Sequence, residues 1–298
     1  MGEKYLPDGR FSLLRDGREL VYYRYGPPPS DEKSVCLAIH GITSSNRAWQ
    51  LFARIMVEER GYTLFAVDLR GRGDSNGIVG PFGMQVHAED MVAVLDHAGL
   101  AKVMLVGHSM GAFVVSAMLA IAPERVLRAV LVDGGIPLAL PPCHTVETLM
   151  PLVLGPALTR LAMKFDSQEA YREYFRPQKA FIKGWSAALC EYADYDLRGQ
   201  SPSTLPGAVE ADSRDLFEDS GIVVQGLESF QDEILLLRAE RGLQDEPIPL
   251  YPKQIIDNAL QKYPRVKLVT LDSNHYDILL DDGGASKCVK IIFGEVSA

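Results

Sequence analysis

The sequence has little of what marks a secreted, zinc-binding or membrane protein. Its 298 residues contain four cysteines, which lie far apart and form no CxxC pair. We therefore expect free thiols, and neither a disulfide framework nor a zinc site. No apolar run approaches the roughly 18 residues that a membrane span needs, and the N-terminal segment has no apolar stretch typical of a signal peptide. These absences predict a soluble cytoplasmic protein.

Positive charge is also scarce. The chain has 30 Lys and Arg against 39 Asp and Glu, so its formal net charge is −9, and no basic cluster stands out. Nucleic acid and anionic membranes are therefore not expected as partners. The sequence has neither an HExxH metal motif nor a GxGxxG or GxxxxGKS/T phosphate loop. The tripeptide Arg72-Gly73-Asp74, known from cell-adhesion ligands, is interpreted as a coincidence.

Hydrophobic residues are plentiful, at 47% of the chain, and they alternate between short buried runs and amphipathic helices. Strands are predicted over 19–25, 34–40, 62–69, 103–106, 128–134, 233–238 and 266–271. The first of these ends at Gly26-Pro27 and is expected at a sheet edge. Helices are predicted over about 46–59, 83–98, 252–262 and 285–294, and after Gly111. This order predicts an α/β fold with a mostly parallel, doubly wound sheet.

The alternation is interrupted once. Residues 136 to 231 contain helical segments but no convincing strand, and one of these helices is predicted to begin with a capping box at Asp166 and Glu169. The chain therefore divides into a core of residues 1–135 and 233–298 and an inserted helical cap of residues 136–232. Because ligands bind beyond the carboxyl ends of the strands in such a sheet, we expect the cap to act as a lid.

Ser109 lies in the sequence Gly107-His108-Ser109-Met110-Gly111, between a predicted strand and a predicted helix. A turn this tight forces its central residue into a strained backbone conformation, and the flanking glycines have no Cβ that would collide with the neighbouring backbone. The turn lifts the serine hydroxyl out of the sheet and points a helix N-terminus at whatever the serine attacks. We interpret Ser109 as a nucleophile.

Three further segments accompany this turn: His40-Gly41 after the strand at 34–40, DLRGRGDS at 68–75, and Asn274-His275 near the end of the chain. With them the chain resembles the α/β-hydrolase superfamily over nearly its whole length. The resemblance implies that Ser109 is the nucleophile and that His275 is the base that takes its proton. It also implies that the backbone N–H groups of Ile42 and Met110 form the oxyanion hole, and that no metal or cofactor is needed.

The other five histidines are not expected to act as the base. His40 belongs to the turn of the oxyanion hole, and His108 is interpreted as a packing residue. His87 and His97 are predicted on a surface helix, and His144 lies in the predicted cap.

The acid that orients His275 has more than one candidate. In most family members the acid follows the strand after the cap, where this chain has Gly242 at the expected position. Relatives of haloalkane dehalogenase carry it at the end of the strand before the cap, where this chain has Asp133. Asp133 is the preferred acid, Asp245 is the alternative if the loop bulges, and Glu240 is a third candidate. The acid holds the histidine tautomer and stabilises its cation.

The predicted cap is rich in aromatic residues, most of which are expected in its own core, and Trp185 is the residue predicted to reach the substrate pocket. We expect a serine esterase or lactonase that cleaves a hydrophobic small molecule through an acyl-enzyme. The alternatives are a carbon–carbon bond hydrolase, a cofactor-free haloperoxidase or acyltransferase with the same triad, and a ligand receptor with slow turnover. The sequence leaves open whether the protein is a monomer or a homodimer.

Overall fold

The computed structural model describes residues 4–141, 143–181, 184–217 and 221–296. Its strands, in chain order, are β1 (Gly9–Arg15), β2 (Arg18–Tyr25), β3 (Val35–Ile39), β4 (Thr63–Val67), β5 (Val103–His108), β6 (Val126–Val132), β7 (Leu197–Arg198), β8 (Ser201–Pro202), β9 (Ile234–Ala239) and β10 (Val266–Leu271). Eight of them form one sheet with the order β1-β2-β4-β3-β5-β6-β9-β10. The pairs β1/β2 and β2/β4 are antiparallel, and the other neighbours are parallel.

The first two strands form a hairpin, so the expectation that residues 19–25 lie at the sheet edge is wrong. The turn between them is Asp16-Gly17, and both residues have positive φ, at 51° and 73°. Two-residue turns of this kind match the right-handed twist of a hairpin. Residues Gly9 to Arg15 then pair along the outer side of β2 and become the edge themselves.

Helices cover both faces of the sheet. They are α1 (Gln50–Glu58), α2 (Met84–His97), α3 (Met110–Ile121), α4 (Val146–Ala162), α5 (Gln168–Phe175), α6 (Ala187–Asp196), α7 (Pro206–Phe217), α8 (Gly221–Ser229), α9 (Lys253–Lys262), α10 (Asp277–Leu280) and α11 (Asp282–Ile292). One apolar cluster joins the sheet to α2, α3, α8 and α9, and a second joins it to α1, α10 and α11. Every residue of β3, β4 and β5 is buried, as expected for strands covered on both faces. The predicted α/β fold is confirmed.

Helices α4 to α8 occupy the segment between β6 and β9, and we call residues 136–232 the cap. Two details differ from the sequence-based expectation. The segment contains a two-residue hairpin, β7 and β8, where no strand was expected. Helix α5 is capped by Ser167, whose Oγ accepts from the backbone N–H of Ala170 at 3.1 Å, so the predicted N-cap at Asp166 is wrong.

The last helix of this segment, α8, packs on the core rather than over the strand ends. A Cβ built on Gly226 would lie 1.8 Å from the carbonyl oxygen of Ser116 in α3, so the two helices touch backbone to backbone. Val223 and Leu227 are buried in the same apolar cluster as α3. Helix α8 therefore lies in the layer of α2 and α3, although the predicted boundary at residue 232 assigns it to the cap. No helix in the described part of the chain is long and apolar enough to span a membrane.

Candidate active site

Ser109 occupies the sharp turn between β5 and α3. Its backbone has φ 54° and ψ −124°, a conformation that residues with a side chain rarely adopt. A Cβ on Gly111 would lie 2.0 Å from the carbonyl oxygen of Ile39, and a Cβ on Gly107 would lie 2.2 Å from that of Gly111. Both flanking positions therefore require glycine, as the sequence predicted, because the turn brings backbone against backbone.

His275 lies in the loop between β10 and α10, and its Nδ1 atom is 2.6 Å from Oδ2 of Asp133. Both side chains are buried. Because a carboxylate only accepts hydrogen bonds, the neutral ring carries its proton on Nδ1, which leaves Nε2 as the acceptor. The second oxygen of Asp133 accepts from the backbone N–H of Ala239 at 3.0 Å. The structure therefore brings Asp133 and His275 together in the arrangement that a general base requires.

The two other candidate acids lie elsewhere. Asp245 accepts from Nε of Arg241 at 2.7 Å and from Nδ2 of Asn274 at 3.3 Å. Glu240 is exposed at the end of β9. Of the three candidates, Asp133 is the one that the structure places on His275.

The predicted oxyanion loop, residues 41–44, is held by His40. The backbone N–H of Leu69 donates to Nε2 of this histidine at 3.0 Å, so the ring proton is on Nδ1 and is donated to the carbonyl of Gly41 at 2.8 Å. Burial lowers the pKa of His40 to about 3, so the ring is neutral at physiological pH. Because a trans peptide is planar, fixing the Gly41 carbonyl directs the N–H of Ile42 the opposite way.

Both predicted oxyanion donors lie beside the serine. A Cβ on Gly41 would be 3.1 Å from Cβ of Ser109, so the Gly41–Ile42 peptide borders it directly. Met110 is the first residue of α3, and the first N–H groups of a helix have no acceptor within the helix. Ile42 and Met110 are both buried, and both border the apolar cavity at Ser109 and His275.

Two of the remaining histidines do more than the sequence suggested. The Nε2–H of His108 donates to the carbonyl oxygen of His275 at 2.8 Å, and burial together with His275 lowers its pKa well below the usual value. His87 is not on the surface, as predicted, but fully buried, with Nε2 3.0 Å from Asp212 of the cap. That partner lies 125 residues away in the sequence, so helical periodicity alone could not reveal it. His97 and His144 are exposed.

Two small cavities border Ser109 and His275. One, of about 20 Å³, extends toward Thr43, Ser44 and Tyr192. The other, of about 30 Å³, is apolar; its further lining includes Phe113, Leu138, Met150, Val153, Leu216, Phe217 and Leu250. Each has room for about one water molecule in this closed form. Among the described residues, no three His, Cys, Asp or Glu side chains converge as a metal site.

Trp185, the residue predicted to reach the substrate, borders neither of these cavities. Its ring packs 6.3 Å from that of Phe175, beneath the guanidinium of Arg176. The cap residues that border the two cavities at Ser109 come from several elements: Leu138, three side chains of α4, Tyr192 of α6, and Leu216 and Phe217 of α7. No periodic pattern in the sequence distinguishes them from residues of the cap's own core.

The chain is similar to known hydrolases. A family model described as the alpha/beta hydrolase fold matches residues 37–158. A putative esterase/lipase of Haemophilus influenzae is 34% identical over 99 residues, which span 33% of this chain and 33% of that protein. A 2-hydroxy-6-oxononadienedioate/2-hydroxy-6-oxononatrienedioate hydrolase of Burkholderia vietnamiensis is 31% identical over 213 residues, which span 63% of this chain and 72% of that one. The solved thioesterase domain from the curacin biosynthetic pathway superposes with a TM-score of 0.72 at 19% identity, over 96% and 98% of the two chains.

Proposed function

Because this chain belongs to the α/β-hydrolase superfamily, we propose that it is a serine hydrolase that cleaves a carboxylic ester or lactone of a hydrophobic small molecule. The observation that carries the proposal is the buried hydrogen bond between Asp133 and His275, beside a serine held at φ 54°. A serine, a histidine and a carboxylate in these roles are the minimum for acyl transfer through an activated hydroxyl.

In the proposed reaction, Nε2 of His275 takes the proton of Ser109 as Oγ attacks the carbonyl carbon. The negative charge that forms on the carbonyl oxygen is stabilised by the N–H groups of Ile42 and Met110. His275 returns the proton to the departing alkoxide, which leaves an acyl group on Ser109. A water molecule, activated by the same nitrogen, then releases the acid and restores the serine. Asp133 stabilises the imidazolium in both halves.

The cavity walls support this choice of substrate class. The larger cavity at Ser109 is lined by aliphatic and phenyl side chains, which favour an alkyl or aryl acyl group. The smaller cavity is bordered by Ser44 and Tyr192 as well as by leucines of α4 and α10, so it suits a leaving group with both polar and apolar atoms.

A carbon–carbon bond hydrolase is the second candidate. It is favoured by the Burkholderia vietnamiensis relative, of whose length this chain covers 72%. Such an enzyme uses the same three residues on a vinylogous diketone, and it differs from an esterase in which substrate is cleaved.

The first experiment is base-titrated hydrolysis of aryl esters, alkyl esters, lactones and a vinylogous diketone by the wild type and Ser109→Ala. We expect turnover of an ester or lactone and a loss of at least about a thousandfold in the variant. Ser286→Ala, at a half-buried position of α11 that borders neither cavity at Ser109, serves as the control and is expected to retain activity. Cleavage of the diketone alone would replace the esterase by the carbon–carbon hydrolase. Ligand-induced thermal stabilisation without turnover of any substrate would favour a receptor.

A further inference from the structure

We propose that the cap positions the oxyanion loop through two buried arginines, Arg72 and Arg160, so that the oxyanion hole is complete only when the cap is docked. The inference rests on the proposed serine hydrolase function, because it assigns a purpose to the loop at residues 41–44. It makes Arg72, Arg160 and their carboxylate partners positioning residues, which act on the reaction through the backbone of this loop.

Successive carbonyls of the loop are each held by a buried side chain. Nε of Arg72 donates to the carbonyl oxygen of Ile42 at 3.0 Å. Nη2 of Arg160, in α4 of the cap, donates to that of Thr43 at 3.2 Å. His40 donates to the carbonyl of Gly41, and Arg72 donates to that of Ile42. Together they fix the peptide planes on both sides of the Ile42 Cα. His40 thus fixes the plane that carries the Ile42 N–H, and the two arginines hold the two peptide planes that follow it in the loop.

The orientation of Arg72 depends in turn on the cap. Its Nη1 pairs with Asp212 of α7 at 2.6 Å, and both side chains are fully buried. Nη1 also donates to the carbonyl of Arg70, and Nη2 lies 3.9 Å from the sulfur of Met110. Although burial alone would raise the pKa of Asp212, His87 and Arg72 hold it below the usual range, so the carboxylate is charged. One guanidinium thus touches both predicted oxyanion residues and is aimed by a helix of the cap.

Arg160 also links a carboxylate of the cap to a carbonyl of the loop. It is buried and hydrogen bonds to Asp196 at the end of α6. Asp196 also accepts from the hydroxyl of Ser203 at 2.6 Å. The hydroxyl of Tyr192, also in α6, lies 3.2 Å from Oγ of Ser44 and adds a third contact between cap and loop. A buried charge that loses its partner is strongly unfavourable, so the ion pairs and the loop are expected to assemble together.

A displaced oxyanion donor is expected to lower kcat and to leave KM nearly constant. The negative charge on the carbonyl oxygen develops only as Ser109 attacks. A misdirected Ile42 N–H therefore stabilises the transition state less, whereas binding of the uncleaved substrate is almost unchanged. Loss of a complete oxyanion donor typically lowers kcat by 10²–10³. For a donor that is displaced rather than removed, we expect a fall of about 10- to 100-fold in kcat, with KM within about threefold of the wild type.

The test is the double variant Arg72→Met/Asp212→Asn, which removes both charges of this ion pair and leaves His87 beside a neutral amide. The matched control is Arg172→Met/Asp194→Asn, an ion pair between α5 and α6 that does not touch the loop. Each protein is assayed for kcat and KM on the best ester of the panel. We expect the kcat loss only in the first variant, and wild-type kcat in a cooperatively folded Arg72→Met/Asp212→Asn protein would overturn the proposal.

Arg72→Lys keeps the test valid if the double variant fails to fold. Lysine retains the charge opposite Asp212, but a single ammonium cannot replace the planar fork that spans Asp212 and Ile42. We expect the folded Lys variant to show the same fall in kcat, whereas full activity would mean that the arginine is only a structural counterion. The rate at which a fluorophosphonate labels Ser109 separates the two proposals. A wild type that neither reacts with it nor hydrolyses any ester defeats the proposed function, whereas equal labelling of the wild type and the variants defeats this inference alone.

Discussion

Asp133 has no rotational freedom in the fold, because each of its carboxylate oxygens has a different partner. Oδ1 accepts from the N–H of Ala239 at the end of β9, and Oδ2 faces Nδ1 of His275. Its backbone is held as well, since its N–H donates to Leu237 and its φ is 44°. Asp133, which directly follows β6, is thus tied to the neighbouring strand β9 while its carboxylate faces His275, which follows β10.

This geometry predicts the effect of Asp133→Asn. An asparagine that keeps the bond from Ala239 turns its amide N–H toward Nδ1 of His275, which forces the ring into the tautomer that cannot accept the proton of Ser109. The matching substitution in serine proteases lowers kcat by about 10⁴, and we expect a loss of that order on the best ester. Asp245→Asn is the control and is expected to stay within a few-fold of wild type. A larger loss for Asp245→Asn than for Asp133→Asn would reassign the acid.

The same residues show which parts of the site could be predicted from the sequence. Ser109 and His275 stand in local motifs, so they could be named from the sequence, and Asp133 could be ranked first among three candidates. Arg72 could not be found, because the features that matter are its burial and its contacts with Ile42 and Asp212. In the sequence it appears only within the segment DLRGRGDS and its adhesion-like tripeptide, neither of which indicates these contacts. Its role depends on which distant segments the fold brings against it.

At the scale of elements, α4 separates the apolar cavity at Ser109 from a larger one near the surface. Met150 borders both the inner cavity of about 30 Å³ and an outer cavity of about 320 Å³ between α4 and α7. Leu158, two turns further along the same helix, borders only the outer one. Met150 is thus the residue that lines both cavities, and we infer that it limits the length of an acyl chain beside Ser109.

Met150→Ala is expected to join the two cavities and move the preference toward longer acyl chains. We expect kcat/KM for an octanoyl ester, relative to that for an acetyl ester, to rise at least about tenfold, since even one extra methylene in an apolar pocket changes discrimination by about that factor. Leu158→Ala removes a similar side chain from the same helix and leaves the ratio unchanged. An equal change of the octanoyl-to-acetyl ratio in both variants would show that the effect comes from lost packing around α4 and not from the joined cavities.

Element boundaries were the least predictable part of the fold. The α/β alternation and the strand at 266–271 could be predicted because they depend on long apolar periodicity. The strand β1 was missed although the pair Asp16-Gly17 carries a hairpin signal. At α5, Asp166 and Ser167 are both good capping residues, and the choice between neighbours is made by tertiary contacts such as the bond between Phe165 and Gln200.

At the scale of the whole molecule, folding buries two uncharged histidines near Ser109. The pKa of His40 is lowered to about 3 and that of His108 well below its usual value, chiefly because burial removes each ring from water. Each of these rings also holds a backbone carbonyl of the site, Gly41 in one case and His275 in the other. Overall stability and site geometry therefore depend on the same two neutral side chains.

This arrangement predicts that the protein loses stability as the pH falls below about 6.5. The unfolded chain then takes up protons on both histidines and the folded protein does not, so the free energy of unfolding decreases with falling pH by up to about 1.4 kcal/mol per pH unit for each histidine. Urea unfolding between pH 7.5 and 5.0 measures the slope above the range in which Asp and Glu titrate. His108→Gln, whose amide can still donate to the His275 carbonyl, is expected to remove about half of the dependence. Stability that stays constant over this interval, or rises toward pH 5, would mean that the two rings accept protons in the folded state.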